Sequence, residues 1–457
     1  MIQHEGKPAM LAGATIHETQ LSNGLTLLVA ERHSDPVVAV MVWYGVGGRH
    51  EPAEVAGVSH FLEHMMFKGT ELHGKGELDR ITTVLGGSNN AFTTPDHTAY
   101  WFELASDRWE RAFELESDRM KGLLLDPAEF AAEKQVVLEE LSMGEDDPWR
   151  HLMRQVQSAL FGWHPYSRPV IGYRETLLPM TPAQMRAHHS AHYRPGNAKL
   201  VVSGDVRPDE VLAAAERWFG AIPDREAAPS VPRPATASLE ATVRLTTHWD
   251  DGASRLIMAW PGARVGSDDD YALDLVWAVL TGGKLGRMYR KLVVDAGVAT
   301  SVSTNNDARA ESGSFWLYAE AVRGVEPSAV EAAIDAQLTR LATELVDDVE
   351  LDRAKRTLAA GEAFELETVT EVAENLGEFA TDLDWRAALE VTPRRNAVTA
   401  EELRSVAQRV LVDGRRVVGW SLPKPGAADI GPADDDAGEE DDGEEGDGDD
   451  QHHGADV

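Results

Sequence analysis

Two histidines and a glutamate fall within five positions at His60-Phe61-Leu62-Glu63-His64, inside the stretch HFLEHMMFKGT at 60–70. On an α-helix His60 and His64 stand one turn apart on the same face, close enough for both imidazoles to meet one ion, with Glu63 on the neighbouring strip. Two neutral imidazoles and a carboxylate, with a fourth position left for water, suit a catalytic zinc that brings the pKa of that water toward neutrality. Glu63 is the natural base. It is too close in sequence to both histidines to be a comfortable third ligand, yet well placed to take the water's proton and pass it to a leaving amine.

A third ligand has to come from elsewhere. The chain has no cysteine, which removes thiolate sites, disulfides and thiol nucleophiles together. No Gly-x-Ser-x-Gly elbow is present to support a serine nucleophile. The stretch PAEFAAEKQVVLEELSMGEDDP (127–148) reads as a helix. At about 100° per residue, Glu133 and Glu140 fall on one line among Phe130, Val136, Val137, Leu141 and Met143, and Glu139 points away. A carboxylate in an apolar stripe is costly unless a cation compensates it. Glu133 and Glu140 are therefore the acids expected at the metal, one as ligand and one orienting a histidine from behind.

The elements that must position these groups are legible as runs. LTLLVAE (25–31) and VVAVMVWYG (37–45) read as strands, followed by the Gly-rich turn GVGGRHEP and the helix carrying His60 and His64. NNAFTTPDHTAYWFELA (89–105) reads as a hairpin. Helices follow over 107–122 and 127–145, then a closing strand NAKLVVSGDV and the helix PDEVLAAAERWFG. After a Pro- and Ala-rich stretch the order begins again, with SRLIMAWPG, DYALDLVWAVLTGG and STNNDARAESGSFWLYAEA, which echoes SNNAFTTPDHTAYWFELA. VDDVELDRAK likewise parallels LDPAEFAAEK. The expectation is an α+β chain of two homologous domains, each a mostly antiparallel sheet packed with helices, of about two hundred residues per half. Residues 1–222 carry the metal-binding domain, 223–240 the linker, and 241–424 the copy without a metal site. In that copy Ala272, Leu273, Asp274 and Leu275 stand where the histidines did.

The formal charge of −34 argues against nucleic acid, because no basic stripe exists to displace counterions from phosphates. Fourteen acidic residues and no Lys or Arg fall between Asp429 and Val457, so 425–457 reads as a disordered acidic tail. No run of eighteen apolar residues exists and the opening lacks the apolar stretch of a secretory leader. Membrane insertion is not expected, and any leader would already be gone. A cysteine-free chain is comfortable in an oxidising periplasm, a slight lean over the cytoplasm.

With these residues in view, the chain resembles the pitrilysin and insulinase superfamily of inverted-zincin metallopeptidases, in its bacterial mitochondrial-processing-peptidase-like branch. The likeness runs to about residue 424. HFLEHMMFKGT is its most specific part, Glu140 falls where that family places its third zinc ligand, and Glu133 where it keeps a supporting acid. GGSNNAFTTPDHTAY matches the substrate strand and HYRPGNAKLVVSGDV the close of the first domain. The resemblance implies zinc on His60, His64 and Glu140, and Glu63 as the base in peptide-bond hydrolysis. It implies peptide added as a strand along Asn90, Ala91 and Phe92, and a chain forming half of a clamshell around a peptide chamber.

One departure bears on partners. Active members offer, in the second domain, an Arg followed seven residues later by a Tyr that help stabilise the tetrahedral intermediate; here Val293 and Thr300 occupy those positions. Either Arg287, Arg290 or Tyr289 substitutes, or a homologous metal-free subunit supplies the pair, which is the arrangement expected. The competing expectations are a catalytically silent scaffold subunit, as processing-peptidase relatives form in a respiratory complex, and a peptide-binding carrier that does not cleave.

Overall fold

The computed structural model describes residues 9–225, 239–411 and 413–425. Most of the expected linker and nearly all of the expected acidic tail lie outside the described residues.

The first sheet contains β1 (Met10–Leu11), β2 (Ala14–Gln20), β3 (Thr26–Glu31), β4 (Val37–Tyr44), β5 (Ser88–Thr93), β6 (Thr98–Ala105) and β7 (Ala198–Gly204), in the order β1-β2-β3-β7-β4-β6-β5. The second contains β8 (Val243–Trp249), β9 (Ser254–Gly262), β10 (Ala299–Asp307), β11 (Gly313–Ala321) and β12 (Val417–Pro423), in the order β10-β11-β9-β12-β8. If β3, β4, β5, β6 and β7 are equated with β8, β9, β10, β11 and β12, the two orders are the same. The single parallel pairing also recurs, β3 with β7 and β8 with β12. This shared topology bears out the α+β duplication.

Strand β4, VVAVMVWY, is buried from Val38 onward, a continuous apolar run rather than an alternating one, and such a run needs cover on both faces. Val38, Val40, Val42 and Tyr44 join the first half's own core. Ala39, Met41 and Trp43 point the other way, against Val369, Val372, Ala373 and Leu376. Those four lie at i, i+3, i+4 and i+7 of the helix Val369–Asp382, which belongs to the second half. The exchange is reciprocal: Leu152, Val156 and Leu160, from a helix of the first half, cover Ile257 and Ala259 of β9. Two glycines permit the close approach. A Cβ at Gly377 would stand 2.0 Å from Trp43 Nε1, and one at Gly419 would stand 2.6 Å from Val156 Cγ2. Each half therefore completes the other's sheet.

The first half carries the helices α1 (Val58–Met65), α2 (Glu77–Val84), α3 (Glu110–Gly122), α4 (Pro127–Glu145) and α5 (Pro148–Phe161), of which α1 and α4 bear the site and α5 crosses to the second sheet. The apolar stripe expected on α4 needs correction. Phe130, Glu133, Val137, Leu138 and Leu141 are buried, but Val136 and Met143 are 46% and 72% exposed. No described helix is long and apolar enough to cross a membrane.

Candidate active site

Helix α1 is fixed at both its start and its back. Gly57 precedes it at φ +96°, the left-handed region that favours glycine, and a Cβ there would meet Ile171 O at 2.5 Å. The backbone N–H groups of Gly57 and Ser59 both donate to the buried Glu51 carboxylate at 2.7 Å, which satisfies donors that a helix start leaves open. Burial pushes the Glu51 carboxyl up to about 7, while those two N–H bonds and Arg168 pull it back. Phe61, Leu62 and Met65 are wholly buried, and Phe61 packs at a tilt against Phe130 of α4 with ring centroids 4.7 Å apart. The polar strip of α1 is thereby turned toward α4.

There the structure brings together His60, His64 and Glu140. His60 Nε2 lies 3.7 Å from Glu140 Oε1, and His64 Nε2 lies 3.6 Å from Glu140 Oε2. Both separations are too long for hydrogen bonds. They suit ligands sharing one ion, since two donors at the usual zinc distance and a tetrahedral angle sit roughly 3.4 Å apart. Among the described residues these three form the group of His, Asp and Glu side chains whose donor atoms lie within 4.8 Å of one another. Burial, with the neighbouring His64 ring, pulls His60 down to about 4, which keeps it neutral as a metal ligand must be. Its Nδ1 is buried without a hydrogen-bond partner. Glu140 keeps 45% of its side-chain surface, so the acid that faces both rings also faces solvent. The donor set thus fits a zinc with an open side.

Glu133 sits behind His64. Its Oε1 lies 3.0 Å from His64 Nδ1 and its Oε2 lies 2.6 Å from Lys68 Nζ. A hydrogen bond at Nδ1 fixes the ring so that Nε2 faces Glu140. Glu63 Oε2 accepts a 2.5 Å hydrogen bond from the Thr93 hydroxyl, leaving Oε1 for another proton. Burial pushes the Glu63 carboxyl up, the Thr93 hydroxyl and the His64 ring pull it back, and Glu140 raises it again.

Asn90, Ala91 and Phe92 lie on β5, the edge strand, which pairs only with β6. The Asn90 side chain accepts from the Ala91 N–H at 2.9 Å. Phe92 points to the face opposite Ala91 and Thr93, edge-on to Trp43 at 5.4 Å. Sequence reasoning missed three supports: Glu51, Thr93 and Lys68. Two carried a signal, since Thr93 shares the period-two parity of Ala91 on β5, and Lys68 follows His64 by four. The second half replaces the cluster with an internal ion pair, Arg395 Nε to Asp274 Oδ2 at 2.8 Å. Arg287 is held by both oxygens of Glu350 at 2.8 and 2.5 Å, so it does not swing toward a substrate without breaking that pair.

Residues 26–174 match the family model described as Insulinase (Peptidase family M16), and residues 179–358 match the one described as Peptidase M16 inactive domain. An uncharacterized zinc protease of Mycobacterium tuberculosis is 31% identical over 418 residues, covering 91% of this chain and 92% of that protein. The chain belongs to the insulinase, or M16 peptidase, family. Other M16 relatives include the zinc protease PqqE of Helicobacter pylori, 28% identical over 374 residues, covering 80% of this chain and 84% of that one. A solved Helicobacter pylori protease superposes with a TM-score of 0.86 at 24% identity, covering 90% of this chain and 100% of that one. A chain of complex III2 from Candida albicans shares the M16 fold at a TM-score of 0.75 and 16% identity, with 89% and 95% covered. His60, Glu63, His64, Glu133 and Glu140 all fall within the first matched segment.

Proposed function

We propose that the chain is a zinc-dependent endopeptidase that cleaves peptides or unfolded segments, acting from the first half, 1–222, while 241–424 closes one side of a chamber. The observation that carries this reading is the convergence of His60, His64 and Glu140 with the Glu63 carboxylate beside them. Zinc held by those three would supply a Lewis acid that polarises the scissile carbonyl and acidifies water. Glu63 takes the proton from that water on Oε1 and returns it to the departing amine, while Thr93 holds Oε2 still. Glu133 keeps His64 in one tautomer. The edge of β5 holds the substrate backbone as an added strand.

Val293 and Thr300 provide no cation and no phenol near the site, and Arg287 is engaged elsewhere. We read the missing Arg and Tyr as supplied by a homologous, metal-free subunit rather than by Arg290 or Tyr289. The deciding experiment pairs metal analysis with peptide turnover. The purified chain is expected to hold about one zinc and to cleave poorly alone, gaining strongly when its co-purifying homologue is added. Glu63→Gln should keep the zinc and lose about 10²–10⁴-fold in kcat. Full turnover by the isolated chain would remove the partner; a chain without stoichiometric zinc would remove the peptidase. The second outcome would leave a silent structural subunit, the reading favoured by the absent Arg and Tyr and by the kinship in fold with a complex III2 chain, while zinc without turnover in any pairing would leave a peptide-binding subunit.

A further inference from the structure

Beyond the metal cluster, a cavity of about 520 Å³ opens between the end of α4, the exposed side of α5 and the segment around Tyr173, lined by Leu141, Arg154, Ser158, Tyr173 and Leu245 among others. Leu141 directly follows Glu140. The chain carries 77 acidic residues against 43 basic ones, and most of its arginines are engaged by carboxylates. Among the described residues the Arg154 guanidinium has no hydrogen-bond or ion-pair partner, and neither has that of Arg150, one turn before it on α5, whose backbone N–H donates to Asp147. Like charges at that spacing repel, so neither arginine stabilises the other.

The guanidinium of Arg154 is nonetheless seated. It lies over Gly144, in the last turn of α4, where a Cβ would stand 2.8 Å from Nη2. Glycine inside a helix is less stable than alanine, and here it makes room for an arginine. The negative end of α4 steadies that cation but leaves its donors open. The neighbouring Arg174 differs, since it donates to Ser142 Oγ at 2.7 Å and lies 3.8 Å from Glu145. Glu175, the other acid on the wall, is exposed and opens a short helix.

We propose that Arg154, backed by Arg150, makes this cavity a subsite for a carboxylate of the bound peptide. The inference rests on the peptidase reading for its substrate class and narrows it to peptides bearing an acidic group. A planar guanidinium with free paired N–H groups matches a carboxylate in a bidentate manner. Two sources offer that group, an Asp or Glu side chain and the peptide's own C-terminus.

The test measures binding, so that it stands apart from turnover. Fluorescein-labelled decapeptides carrying Glu, Gln or Lys at one scanned position, each with a free or an amidated C-terminus, are titrated by anisotropy against zinc-loaded, full-length Glu63→Gln protein. The Glu peptide should bind about 10- to 100-fold more tightly than the Gln peptide. Preference for the free acid instead would assign the subsite to the C-terminus. Arg154→Gln should abolish the preference, and Arg154→Glu should favour the Lys peptide, a gain that a misfolded variant does not show. Equal affinities across the series, or no binding of any peptide, overturn the proposal. A clear preference in binding together with no cleavage by the wild-type chain in any pairing would overturn the peptidase reading alone.

Discussion

At the scale of single residues, the site divides into groups that face the ion and groups that hold them. Glu133 reaches the ion through His64 while its other oxygen pairs with Lys68, so Glu133→Gln should weaken zinc binding about 10–100-fold by chelator competition. Thr93 acts through Glu63. Its hydroxyl stabilises the ionised carboxylate and so holds the pKa down. In Thr93→Val that pull is gone, the Glu63 pKa rises further, and the acid limb of the kcat/KM profile should move to higher pH. An unmoved limb would mean that Glu63 is not the group titrating. His60, Glu63, His64, Glu133 and Glu140 were all legible as candidates, because helical spacing alone fixes which side chains share a face. Thr93 was not singled out: its strand parity shows which face it shares with Ala91, but not that Glu63, on another element, meets that face.

At the scale of elements, the helix Pro182–His192 carries His188 and His189 buried, with His192 nearby. Burial pulls His189 down to about 4, with Arg225 and Arg186 adding to it and the bond to the Arg119 carbonyl opposing. The unfolded chain takes up this proton first as pH falls, so the associated stability is complete above about 6.5 and is lost between there and about 4. Urea midpoints should therefore fall between pH 7 and pH 5, and His189→Gln, which keeps a donor for the Arg119 carbonyl, should flatten that fall. Strands β3, β4, β5, β6, β7, β9, β10 and β11 and helices α1, α3 and α4 could be read from apolar runs and their recurrence, while β1, β2, β8 and β12 were not. The two helices that change partners could not. Leu152, Val156 and Leu160 form a stripe that would look the same over either sheet, and nothing in a stripe names the surface it will meet. Val136 and Met143 were misplaced for a related reason: apolar side chains near a helical line count toward it whether or not a neighbour covers them.

At the scale of the whole molecule, the exchanged helices join the two halves into one cooperative body. Calorimetry should show a single unfolding transition across both halves, because neither sheet is covered on both faces without the other half. Gly377→Leu places a side chain against the Trp43 ring and should cost about 3 kcal/mol or more, lowering the melting temperature of the whole chain rather than of the second half alone. Two separate endotherms would show that the exchange does not couple them. The duplication was legible from the recurring order of runs. The doubly covered face was signalled by the unbroken VVAVMVWY.

The same exchange sets a constraint during synthesis. The first sheet closes when β7 has been made, but the segment through Trp385 that roofs its second face follows roughly 180 residues later, about 10–40 s at usual ribosomal rates. Throughout that interval Met41, Trp43 and Val201 have no native cover, so the nascent chain presents a sticky apolar surface that a holding chaperone would be needed to mask.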